Sequence, residues 1–71
     1  MYILVFKTNI ESDHDHFHIK NVLDSHPHIN TWHIDRDDID NVLRIESLHN
    51  ISHDIISNIK LAGYHCEELP D

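Results

Sequence analysis

The feature that constrains this chain most is its opening, where an apolar strand runs straight into a helix start. Tyr2-Ile3-Leu4-Val5-Phe6 is aromatic, β-branched or aliphatic at every position, which suits a strand covered on both faces better than a half-exposed one. Thr8-Asn9 ends the run. Ser12 is a good helix N-cap, and Asp15 three residues later comes close to a capping box. Whatever follows must cover both the strand and the helix.

The rest of the chain supplies that cover in alternating periods. Ile19, Val22 and Leu23 fall at i, i+3 and i+4, with His26 at i+7, so the first helix buries that stripe and leaves Phe17 at the surface. Pro27 biases His26 out of the helical region and stops the helix. From Ile29 to Ile34 the period becomes two, with Trp32 and Ile34 on one face and Thr31 and His33 on the other. Asp35 to Asn41 reads as an acidic, glycine-free hairpin loop. Val42 to Glu46 returns as a strand with Leu43 and Ile45 inward. Ser52 is the expected cap of a second helix, with Ile51 and Ile56 as its hydrophobic staple. Ile55, Ile59 and Ala62 form its buried stripe, Gly63 its left-handed C-cap, and Tyr64 to Leu69 a last strand ended by Pro70. The order βαββαβ predicts an α+β, ferredoxin-like sandwich over residues 1–71, one domain. Its antiparallel sheet has strand order 4-1-3-2, with both helices on one face.

Charge and composition narrow the function. Thirteen acids against five bases give a formal charge of −8, which opposes phosphate backbones and anionic membrane surfaces, so no nucleic acid and no membrane partner is expected. The apolar start is too short for a signal peptide, and no segment approaches the roughly 20 apolar residues of a membrane span. A cytoplasmic location is the expectation. Cys66 is the only cysteine, so no internal disulfide forms, and its place in the last strand predicts a small buried hydrophobe. A non-catalytic protein is expected. No nucleophile elbow is present, and a single glycine cannot build a phosphate loop.

The pattern resembles the heavy-metal-associated domain of copper chaperones and of the N-terminal segments of metal-pumping ATPases. Val22-Leu23 through Pro27-His28-Ile29, then Trp32-His33-Ile34-Asp35, is similar to that family's first helix, its turn and its second strand. Ile55-Ile56-x-x-Ile59-x-x-Ala62-Gly63-Tyr64 is similar to its last helix and alanine-glycine-tyrosine ending. The resemblance implies a metal loop between first strand and first helix, where the family carries Gly-Met-x-Cys-x-x-Cys. Counting back from Val22-Leu23 puts the family's two cysteines on Ser12 and Asp15 and its methionine on Ile10. Ile10 can serve as the hydrophobic anchor under the loop. Ser12 and Asp15 cannot replace two thiolates for Cu(I), because a hydroxyl is a poor ligand and a carboxylate a hard one.

Nine histidines offer other donors. The topology gathers His14, His16, Tyr64 and His65 at the loop end, with His18 one turn down the helix. His14 and His18 at i, i+4 share one flank, and Asp13 or Asp15 can add an oxygen. Imidazole with carboxylate prefers Zn(II), Ni(II) or Cu(II) to Cu(I). The expected site is therefore His14, His18 and Asp15, with His16 as a further ligand. His26, His28, His49 and His53 fall at the opposite end, where a second site is geometrically feasible. The alternative function is a metal-free module that meets a protein partner or a second copy of itself. Leu4 and Phe6 face the helices in that reading, which leaves Ile3, Val5 and Val42 on the open sheet face for a homodimer or partner.

Overall fold

The computed structural model describes residues 1–70. Six elements follow in the expected order: β1 (Tyr2–Thr8), α1 (Asp13–Asp24), β2 (Ile29–Asp35), β3 (Val42–Ser47), α2 (Ser52–Leu61) and β4 (Cys66–Glu68). The sheet is antiparallel throughout, in the order β2-β3-β1-β4, which is the expected order counted from the other edge.

Register decides which side chains become core. Leu4 stands opposite Ile45 and Phe6 opposite Leu43. Trp32 pairs with the same Ile45 and Ile34 with the same Leu43, so these six side chains share one face. α1 contributes Ile19 and Leu23 to it, and α2 contributes Ile55 and Ile59, all essentially inaccessible to solvent. Burying each such side chain stabilises the fold by about 1.5–3 kcal/mol, which a chain of this size needs with no disulfide to help. Ile10 is fully buried beneath the β1–α1 corner, and Cys66 lies in the core. Phe17 is exposed, as the period of the first helix predicts, and Leu61 of α2 is exposed as well.

The other sheet face is open. Along β1 it presents Ile3 and Val5, paired with Glu46 and Arg44, and these pair in turn with Thr31 and His33. Ile3 is 47% exposed. Thr31 Oγ1 donates to Glu46 Oε2 at 2.6 Å, a polar cross-strand pair beside the apolar spine.

Two local expectations are corrected, and the hairpin shows how it turns without glycine. Ser52 does not cap α2; the N-cap is Ile51, which makes no side-chain capping bond, and Asn50 Oδ1 instead accepts from the Ser52 backbone N–H at 3.3 Å. Asn supplies that oxygen as well as Ser does, so the helix starts one residue earlier. β4 is shorter than Tyr64–Leu69, because the Tyr64 N–H bonds back to the Ile59 carbonyl as part of the α2 ending and only Cys66–Glu68 pair as a strand. The hairpin loop meets its need for a left-handed residue with Asn41, at φ 44°, rather than with glycine.

Candidate metal-binding corner

The corner between β1 and α1 is tied down from four directions. Ser12 Oγ accepts from the Asp15 N–H at 3.0 Å, and Asp15 Oδ2 accepts from the Ser12 N–H at 3.3 Å, which completes the capping box. Thr8, itself buried, donates through Oγ1 to the Asn41 carbonyl at 2.6 Å, so the acidic hairpin closes over the end of β1. Arg36 of that hairpin lies 2.7 Å from Asp13 on the first turn of α1. From the far side, Asn9 Oδ1 accepts from the His65 N–H at 2.8 Å.

Tyr64, just after α2, reaches across to α1. Its hydroxyl donates to Asp15 Oδ1 at 3.0 Å and lies 3.3 Å from His18 Nδ1. The proton inventory follows from the partners. A carboxylate accepts only, so the tyrosine hydrogen points to Asp15, and the phenol oxygen is left to accept from an Nδ1–H of His18. That tautomer leaves the lone pair of His18 on Nε2. The acid strengths agree with it. Partial loss of hydration pushes the Asp15 carboxyl up, but the hydrogen bonds from Ser12, Tyr64 and Glu11 outweigh it and hold it below its ordinary value. Desolvation and the neighbouring Asp15 push the Tyr64 hydroxyl up, so the phenol keeps its proton.

The expected ligands therefore separate into different roles. His14 is exposed on the first turn of α1, one turn before His18. Asp15 is engaged through both oxygens, with the cap and with Tyr64. His16 turns to the β2 side and packs on Trp32, ring centres 5.4 Å apart. His65 immediately precedes β4, with its Nε2 3.6 Å from Glu67. Among the described residues, no three His, Cys, Asp or Glu side chains already converge as a metal cage. Tyr64 is the participant that ligand counting did not assign. Its signal was the residue after Gly63, placed beside α1 once both helices share a face.

No family model matches the sequence, and no curated protein matches it. Solved structures do match its shape. The N-terminal domain of PacS from Synechocystis PCC6803 superposes with a TM-score of 0.83 at 10% identity, over 99% of this chain and all of that one. The chain shares that domain's ferredoxin-like βαββαβ fold. The N-terminal domain of ZntA, solved in its Zn(II) form, matches with a TM-score of 0.79 at 13% identity, over 93% of this chain and 89% of that one. A structure described under crosstalk between Cu(I) and Zn(II) homeostasis matches with 0.79 at 11% identity, over 97% of this chain and 100% of its own. On this shared fold the β1–α1 corner holds Ser12 and Asp15 joined as a helix cap, and Cys66 lies buried in β4. Among the described residues no helix is long and apolar enough to cross a membrane.

Proposed function

We propose that this domain is a non-catalytic binder of a divalent borderline metal, Zn(II), Ni(II) or Cu(II), at the β1–α1 corner. His14 and His18 supply the two nitrogens. The observation that carries the reading is the Asp15–Tyr64–His18 chain of hydrogen bonds. A carboxylate that orients an imidazole from behind, with its outer nitrogen free, is how proteins prepare histidine for metal. Here the tyrosine hydroxyl relays between them. Asp15 is thus a supporting group first, and His16 stays with Trp32. The fold shared with the ZntA domain in its Zn(II) form supports the same class of ion.

The test is a thermal and calorimetric titration with Zn(II) and Ni(II). The parent should gain stability as metal saturates it, and His14→Ala with His18→Ala should remove the gain at the corner. Tyr64→Phe keeps the packing and deletes the relay; its metal affinity should fall about 10–100-fold, as for other supporting groups behind a ligand. A Tyr64→Phe variant that binds like the parent would refute the relay.

A second reading rests on the open sheet face. A cleft of about 300 Å³ lies there, lined by Val5 and Val42 between His33, Arg44 and the acids Asp35, at the end of β2, and Asp38 of the hairpin loop. An apolar floor with a charged rim suits a partner or a second copy of the chain. Sedimentation over a dilution series separates the two: self-association that Val5→Lys abolishes supports this face, and a monomer throughout counts against a homodimer.

A further inference from the structure

We infer that His28 and His49 form a second divalent-metal site, at the end of the sheet away from the α1 corner. Four groups stand in a row there. Asp54 Oδ2 is 3.7 Å from His26 Nε2; the His26 and His28 ring centres are 5.8 Å apart; those of His28 and His49 are 4.8 Å apart and nearly edge-on at 73°. With metal–nitrogen bonds of about 2.0–2.1 Å, two imidazoles on one tetrahedral ion stand with ring centres about 5 Å apart. The His28–His49 pair already has that separation.

The backbone under the pair is fixed by a buried serine. Ser47, fully inaccessible, donates through Oγ to the His28 carbonyl at 2.7 Å and accepts from the His49 N–H at 3.1 Å. One side chain thus clamps together the two loops that carry the ligands, which lie 21 positions apart in the chain. His26 adds a second restraint. Its Nδ1 accepts from the His28 N–H at 3.1 Å, which leaves the proton of its neutral ring on Nε2, facing Asp54. His26, nearly buried, is therefore a positioning residue and not a ligand. His28 and His49 are exposed, so an ion reaches them from solvent and water completes its coordination. Two neutral imidazoles with water oxygens form a borderline donor set, suited to Zn(II), Ni(II) and Cu(II). The formal charge of −8 favours the approach of a cation. This site shares its class of ion with the corner but none of its residues.

The experiment is isothermal titration of the full chain with nickel(II) chloride, run on the parent, on His14→Ala with His18→Ala, on His28→Ala with His49→Ala, and on the fourfold variant. His28 and His49 contribute nothing to the core, and far-UV circular dichroism checks that each variant is folded. The parent should bind two equivalents, each double variant one, and the fourfold variant none. If the corner variant titrates like the parent while His28→Ala with His49→Ala removes binding, the second site stands and the corner reading falls. If binding in the His14→Ala, His18→Ala background is unchanged by loss of His28 and His49, the second site is overturned. In the His14→Ala with His18→Ala variant, substoichiometric Cu(II) should also broaden the ring resonances of His28 and His49. Sharp resonances from both rings would overturn it independently.

Discussion

Replacing Ser47 with alanine removes one oxygen and should cost far more than a surface serine. The side chain is fully buried, at the C-terminal end of β3, and holds two loops through two bonds: to the His28 carbonyl at 2.7 Å and from the His49 N–H at 3.1 Å. Each hydrogen bond contributes about 1 kcal/mol net, and deleting the shared partner strands a donor and an acceptor together. Alanine adds no compensating group, because the cavity it leaves is one atom wide. The expected loss is about 2 kcal/mol. For a domain of this size each kcal/mol moves the melting midpoint by about 4–8 °C, so Ser47→Ala should melt about 8–16 °C lower. Urea unfolding followed by circular dichroism measures the loss, with an unchanged m-value as the sign that only the native state was altered. Thr31→Ala is the control: its Oγ1 makes a bond of 2.6 Å to Glu46, but on the exposed face, where water replaces it at little cost. If the two variants lose the same stability, or Ser47→Ala loses less than about 0.5 kcal/mol, the clamp is not what holds these loops.

Three further outcomes are expected. Asp24 is held below its ordinary value by bonds from Lys20 Nζ at 2.6 Å and Trp32 Nε1 at 2.9 Å, and Asp15 by its cap and Tyr64. A depressed carboxyl stabilises the fold above its unfolded value of about 3.9 and ceases to do so as pH falls through the lower folded value. Urea midpoints should therefore drop on acidification below about pH 4, and less steeply in Asp24→Asn; equal slopes would remove Asp24 from the account. Burial pushes the Cys66 thiol up to about 11, so at about pH 8 a thiol reagent should label it only as the chain unfolds, and rapid labelling of native protein would contradict its burial. Gly63 ends α2 at φ 97°, and nothing lies within 4 Å of where a Cβ would stand. Gly63→Ala should thus lose about 1–2 kcal/mol from backbone strain alone, read from urea melts, and a neutral substitution would refute the strain.

The strands and helices were legible because burial imposes periods on a sequence. Leu43 and Ile45 at spacing two, and Ile55 and Ile59 at spacing four, announce their inward faces whatever else the chain does. The helix cap at Ser12 and Asp15 was equally readable, since its partners are three residues apart. The cap of α2 was ambiguous for a related reason: Asn50 and Ser52 carry equivalent oxygens two residues apart, and local chemistry alone does not choose between them.

What a sequence could determine here ended with contacts a few residues apart. It named the histidines, the lone cysteine that cannot make a thiolate pair, and the end of the sheet to which eight of the nine histidines go. Only tertiary structure decided their orientation. Tyr64 meets Asp15 across 49 positions and His18 across 46, Ser47 reaches back to His28 across 19, and His16 is diverted to Trp32. Side-chain hydrogen bonds form wherever two elements happen to abut, and no periodicity along the chain records which polar atoms those abutting faces bring together.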